Sequence, residues 1–102
     1  MGISAAVRSI NIYEGIFYET IPLTTLPTPL NVAYYAAEPR ANRVIISIEG
    51  GDVRIRWDNN AINGGGHLVR DGAVIEVEGW HTIRKLHMTA MTNATAHITY
   101  ER

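Results

Sequence analysis

The segment Asn42–Asp58 reads NRVIISIEGGDVRIRWD, two alternating apolar–polar stretches that meet at a Gly-Gly pair. Alternation puts successive side chains on opposite faces of a strand, and Gly-Gly supplies the positive φ angles that two-residue hairpin turns need. Placing Gly50-Gly51 at the turn predicts a hairpin in which Ile48 faces Val53, Ile46 faces Ile55 and Val44 faces Trp57. These six share the core face. Arg54 and Arg56 share the opposite face, beside Ser47 and Ile45. A slip of one residue would break every pair, so the register is tightly specified.

The same pattern recurs along the chain. In Ala73–Glu78, Ala73, Ile75 and Val77 lie on one face and Val74, Glu76 and Glu78 on the other, with Asp71-Gly72 and Gly79 marking turns. The C-terminal stretches Arg84–Ala90 and Ala94–Tyr100 predict a second hairpin with a three-residue loop, Ala90 facing Ala96, Met88 facing Ile98 and Leu86 facing Tyr100. Its other face carries Thr89, His87, Thr95, His97 and Thr99. Val7–Tyr13 and Gly15–Ile21 are further strand candidates, and Asn31–Ala37 reads as a strand ended by Glu38-Pro39. Prolines interrupt residues 20–30 (TIPLTTLPTPL), which predicts an extended arm or loop. Ile and Val total 20 against 5 Leu, and β-branched and aromatic residues together total 37. Such side chains fit a pleated, half-buried surface. The expected fold is all-β: an antiparallel β-sandwich or jelly roll of seven to eight strands, with no substantial helix.

At 102 residues the chain is the size of one domain. It has no cysteine, which excludes disulfides, zinc fingers, iron–sulfur clusters and thiol catalysis. A net charge of −1 argues against a general electrostatic grip on nucleic acid or anionic membrane. No stretch reaches the roughly 18 apolar residues of a membrane span. Met1–Ile10 lacks the basic and apolar regions of a signal peptide.

Candidate chemistry is sparse. The histidines, His67, His81, His87 and His97, form no HxH or HxxxH pair. The expected C-terminal hairpin sets His87 diagonal to His97, the nearest approach to a metal pair. His67 with Glu76 or Glu78 is a thin echo of the cupin motif. Carboxylate pairs such as Glu76 with Glu78 or Asp52 with Asp58 read as solvated or turn residues. No catalytic residue and no cofactor is assigned. Residues 58–67 (DNNAINGGGH) form a loop longer than hairpins need, either a connector or a docking loop on a rigid scaffold. Arginine outnumbers lysine 8 to 1, as at protein interfaces. The candidate partner-binding residues are therefore Arg54, Arg56, Asn59, Asn60, Asn63 and Trp80. Trp80, or one of Tyr34 and Tyr35, could alternatively serve as a stacking platform for sugar rings.

Four stretches carry a family resemblance: RVIISIEGGDVRIRWD (Arg43–Asp58), GHLVRDGAVIEVEG (Gly66–Gly79), Ile-Arg-x-Leu at Ile83–Leu86, and the terminal ATAHITYER (Ala94–Arg102). In this order they resemble small structural proteins encoded by tailed bacteriophages, over the last 60 residues or so. The first 42 residues match no pattern. The resemblance implies a non-enzymatic β-sandwich protein of the virion, assembled in the host cytoplasm. It implies a capsid decoration or cement role, with the major capsid protein or other virion proteins as partners and a homo-oligomer, such as a trimer, as the working unit. A neck or tail component and a carbohydrate-binding module are the alternatives.

Overall fold

Most of the alternating runs among the described residues become strands, though several lie beside a different neighbour from the one their turns suggest. The computed structural model describes residues 14–36, 40–58 and 65–102. Its strands are β1 (Gly15–Leu23), β2 (Thr28–Pro29), β3 (Arg43–Glu49), β4 (Val53–Arg56), β5 (His67–Val69), β6 (Val74–Glu78), β7 (His87–Ala90) and β8 (Ala94–Glu101). Two single-turn helices, α1 (Val32–Tyr35) and α2 (Trp80–Ile83), sit between them.

The strands form two four-stranded sheets, in the orders β1-β8-β3-β6 and β2-β7-β4-β5, with every pairing antiparallel. The nested pairs β1–β8, β2–β7, β3–β6 and β4–β5 are those of one long hairpin folded between β4 and β5 and then rolled up. That arrangement is a jelly roll. The inner faces of the two sheets meet in one apolar cluster that includes Val44, Ile46, Ile48, Val53, Ile55, Met88, Ala96, Ile98 and Tyr100.

Both expected hairpins are corrected by this topology. Ile46 lies between Ile75 and Ile98 in one sheet, whereas Ile55 lies between His67 and Met88 in the other. β7 and β8 are likewise split between the sheets. The two connections are arches that carry the chain across the core. The expected inward faces survive the change, because an arch and a hairpin both need apolar residues at alternate positions facing inward. Trp57 is the exception. β4 ends at Arg56, so the alternation stops one residue short of it, and Trp57 is 44% exposed. His87 and His97 belong to different sheets, which removes the expected histidine pair.

The Gly-Gly pair suits the arch for two separate reasons. Gly50 has φ of 89°, a region L side chains rarely occupy. Gly51 backs onto the neighbouring β7–β8 connection, where any Cβ would collide with the Asn93 carbonyl oxygen. Two aspartates pin the same end. The Asp71 carboxylate accepts from the Gly50 amide at 3.0 Å, and the Asp52 carboxylate accepts from the Asp71 amide at 2.9 Å.

The segment expected as an extended arm or loop, residues 20–30, is folded onto the sandwich as two strands joined by a short loop at residues 24–27. β1 continues to Leu23, and Thr28–Pro29 pairs with β7 as β2. Pro22 and Pro29 are tolerated because β1 and β2 are edge strands, where a missing N–H interrupts no central ladder. Leu23 and Leu30 enter the core. The strand expected at Asn31–Ala37 is instead the turn of α1. The Asn31 side chain accepts from the Ala33 amide at 3.0 Å, the N-cap bond that nucleates it. The strand candidate at Val7–Tyr13 lies outside the described residues.

Candidate functional site

Four side-chain groups on this scaffold have chemistry to offer. The first is the arginine row on the outer face of the second sheet. Arg54 Nη1 donates to the Gly66 carbonyl at 3.3 Å, and Arg56 Nη2 pairs with Asp58 at 2.6 Å. Gly66 lies so close to Arg56 and the Ile55 carbonyl that a Cβ there would clash with both. Both arginines therefore grip the two ends of the Asn/Gly-rich loop, and the glycine of the GHL motif is what lets the chain pass beneath them. The Arg54 Nε atom is buried and makes no hydrogen bond. Asn59, Asn60 and Asn63, the loop's own candidate contacts, lie outside the described residues.

The second group lines a cleft of about 430 Å³ where the edge strands β5 and β6 leave the two sheets open. Ile55, Val69, Ile75 and Val77 line it with apolar surface, and Trp57, His67, Glu76, Glu78 and Thr82 complete the wall. Trp57 and His67 stack with ring centroids 4.9 Å apart and planes 14° from parallel. This size and lining suit a small-molecule or side-chain site. Sequence reasoning missed it because it treated Trp57 as a core residue.

The third group centres on Trp80. Gly79, with φ of 96°, turns the chain into α2 and sets the indole at its first position. The Arg40 guanidinium lies 4.3 Å from the ring centroid and that of Arg84 5.2 Å, while the His81 ring meets it edge-on. Trp80 Nε1 is buried without a hydrogen-bond partner. The indole is thus held under arginines rather than presented as an open platform. Tyr34 is no platform either, since it packs between Phe17 and Tyr100 at centroid distances of 5.2 and 5.7 Å.

The fourth group crosses the outer face of the first sheet. His97 Nε2 lies 2.6 Å from a Glu49 carboxylate oxygen, and its Nδ1 lies 2.9 Å from the Tyr18 hydroxyl and 3.3 Å from Thr20 Oγ1. Both ring nitrogens of His97 therefore have a hydrogen-bond partner. These bonds join β1, β8 and β3 and hold the edge strand to the centre of the sheet. Among the described residues, no group of three His, Asp or Glu side chains is placed to hold a metal ion. No helix among them is long and apolar enough to cross a membrane.

Inside the sandwich, the fully buried Tyr100 hydroxyl donates to Glu19. Burial and the adjacent Glu19 carboxylate push the phenol far above its ordinary value near 10. Below about pH 10 the phenol is neutral in both folded and unfolded chains, and its hydrogen bond contributes in full. Above that, only the unfolded chain ionises, so stability falls by up to about 1.4 kcal/mol per pH unit. Tyr100→Phe is expected to cost about 1 kcal/mol at neutral pH. Urea denaturation should show the gap between wild type and variant closing above about pH 10. A constant gap across that range would mean that the phenol ionises equally in both states.

In comparisons with known proteins, no family model, curated protein or solved structure matches the chain.

Proposed function

We propose that the chain is a structural protein of a tailed-bacteriophage particle, a decoration or cement protein that seats on the major capsid protein as a homo-oligomer. One observation carries the reading. The four stretches that resemble phage structural proteins coincide with the successive elements of the jelly roll: β3 with its arch to β4, then β5 and β6, then the chain from α2 toward β7, then β8. The jelly roll is an architecture that viral shell proteins use repeatedly. Fold alone does not select function, since lectins and cupins share it, so the motif order gives the reading its direction.

The test is the composition of purified particles. The chain is expected at a copy number that tracks the capsomers. A few copies per particle would move it to the neck or tail, and its absence from particles would end the proposal.

A carbohydrate-binding module is the competing reading, and one observation favours it. Trp57 is exposed beside a cleft that also holds Glu76 and Glu78, an indole and two acceptors suited to a pyranose ring. Binding on a glycan array that disappears in Trp57→Ala would select this reading. Of the earlier candidates for that role, Trp80 lies beneath arginines, Tyr34 lies among aromatic rings, and Tyr35 packs half-buried against the core.

A further inference from the structure

The arginines among the described residues fall into two groups. Arg43, Arg56, Arg70 and Arg102 each pair with a carboxylate, and Arg54 donates to a backbone carbonyl. The side chains of Arg40 and Arg84 make neither an ion pair nor a hydrogen bond among the described residues. Their shared neighbour is the Trp80 ring. An indole face attracts a guanidinium but leaves its charge and its fork of N–H donors unused. Because both lie over one ring, the two cations stand within about a Debye length of each other, roughly 8–10 Å. Lys85 follows directly in the chain. The fold therefore holds like charges together over a half-buried indole, and among the described residues no carboxylate pairs with either of them.

We propose that Arg40, Trp80 and Arg84 form the docking site for an acidic segment of a partner protein, with the guanidiniums taking carboxylates in bidentate fashion. The inference deepens the virion reading and rests on it for the choice of partner. Carboxylates complete the donor forks and relieve the repulsion between the arginines. Trp and Arg are also the residue types that dominate binding energy at protein interfaces. The charge distribution favours a protein over a nucleic acid. A phosphate backbone is gripped by an extended basic track, whereas this chain has a net charge of −1 and the Arg40–Arg84 cluster is compact.

The test uses the full chain and a fluorescently labelled Asp/Glu-rich peptide, followed by anisotropy at low and physiological salt. The wild type is expected to bind, more weakly as salt rises. The double variant Arg40→Gln with Arg84→Gln is expected to lose about tenfold or more in affinity. Arg40→Lys with Arg84→Lys should fall between, because charge is kept and the fork is lost. Arg70→Gln, an exposed arginine paired with Asp52, serves as the control and should bind like wild type. Both Arg40 and Arg84 are exposed, so the variants should melt like wild type. Failure to bind the peptide, an unaffected glutamine double variant, or tighter binding to single-stranded DNA would overturn the site. Particles separate this inference from the reading beneath it. A double variant that still decorates particles overturns the site and leaves the virion reading intact. A wild-type chain absent from particles that binds the peptide through Arg40 and Arg84 supports the site and removes the virion reading.

Discussion

Ile98→Ala is expected to destabilise the protein by about 2–5 kcal/mol, a large part of the total stability of a domain this size. Ile98 is fully buried in the middle of β8, a central strand of its sheet, with Ile46 beside it on β3 and Glu19 on β1. Alanine removes three carbons, each worth about 0.8 kcal/mol in transfer free energy, and leaves a cavity that the flanking strands cannot close. The midpoint of thermal unfolding should fall by about 10–25 °C. Ile45 provides the contrast. It sits one pleat away from Ile46 on the outer face and is only half-buried, so Ile45→Ala should cost less than about 1 kcal/mol. Similar losses at the two positions would mean that the inward face of this sheet has been misassigned.

That contrast marks what the sequence reveals about this fold. Alternation assigns each residue to a face, and the inward set Val44, Ile46, Ile48, Val53 and Ile55 follows from the spacing alone. It does not assign lateral partners. A Gly-Gly connection can close a hairpin or an arch, and both outcomes bury the same side chains. The choice depends on contacts distant in sequence, such as the Asp71 carboxylate on the Gly50 amide and the Asn93 carbonyl against Gly51. Where a strand ends is equally non-local. β4 stops at Arg56, and so the roles of the two tryptophans are exchanged, Trp57 lining an open cleft and Trp80 lying beneath guanidiniums. Asn31 did carry a readable signal, since an Asn before a short apolar run can cap a helix, but the β-rich surroundings masked it. At the candidate sites, the shared face of Arg54 and Arg56 is legible from the i, i+2 spacing. Their engagement with Gly66 and Asp58 is not, because it depends on where the long loop returns.

The absence of cysteine makes the topology directly testable by cross-linking. Ile45 and Thr99 are opposite partners on β3 and β8, with both side chains on the outer face and half-buried. Opposed antiparallel residues have Cα atoms about 4.5 or 5.5 Å apart, within the range a disulfide spans. Ile45→Cys with Thr99→Cys should therefore oxidise readily in the folded protein. The bond would close a loop of about 55 residues and add about 4 kcal/mol in the chain-entropy account. The comparison pair is Ile45→Cys with Arg56→Cys, which a β3–β4 hairpin would set side by side. In the jelly roll these two positions lie on different sheets and point away from each other, with the sheets about 10 Å apart. That pair should stay reduced until the protein unfolds. Non-reducing electrophoresis with a count of free thiols separates the two outcomes, and thermal melting of the oxidised 45–99 variant measures the gain. Rapid oxidation of the 45–56 pair, with the 45–99 pair left as thiols, would restore the simple hairpin and dissolve the jelly roll.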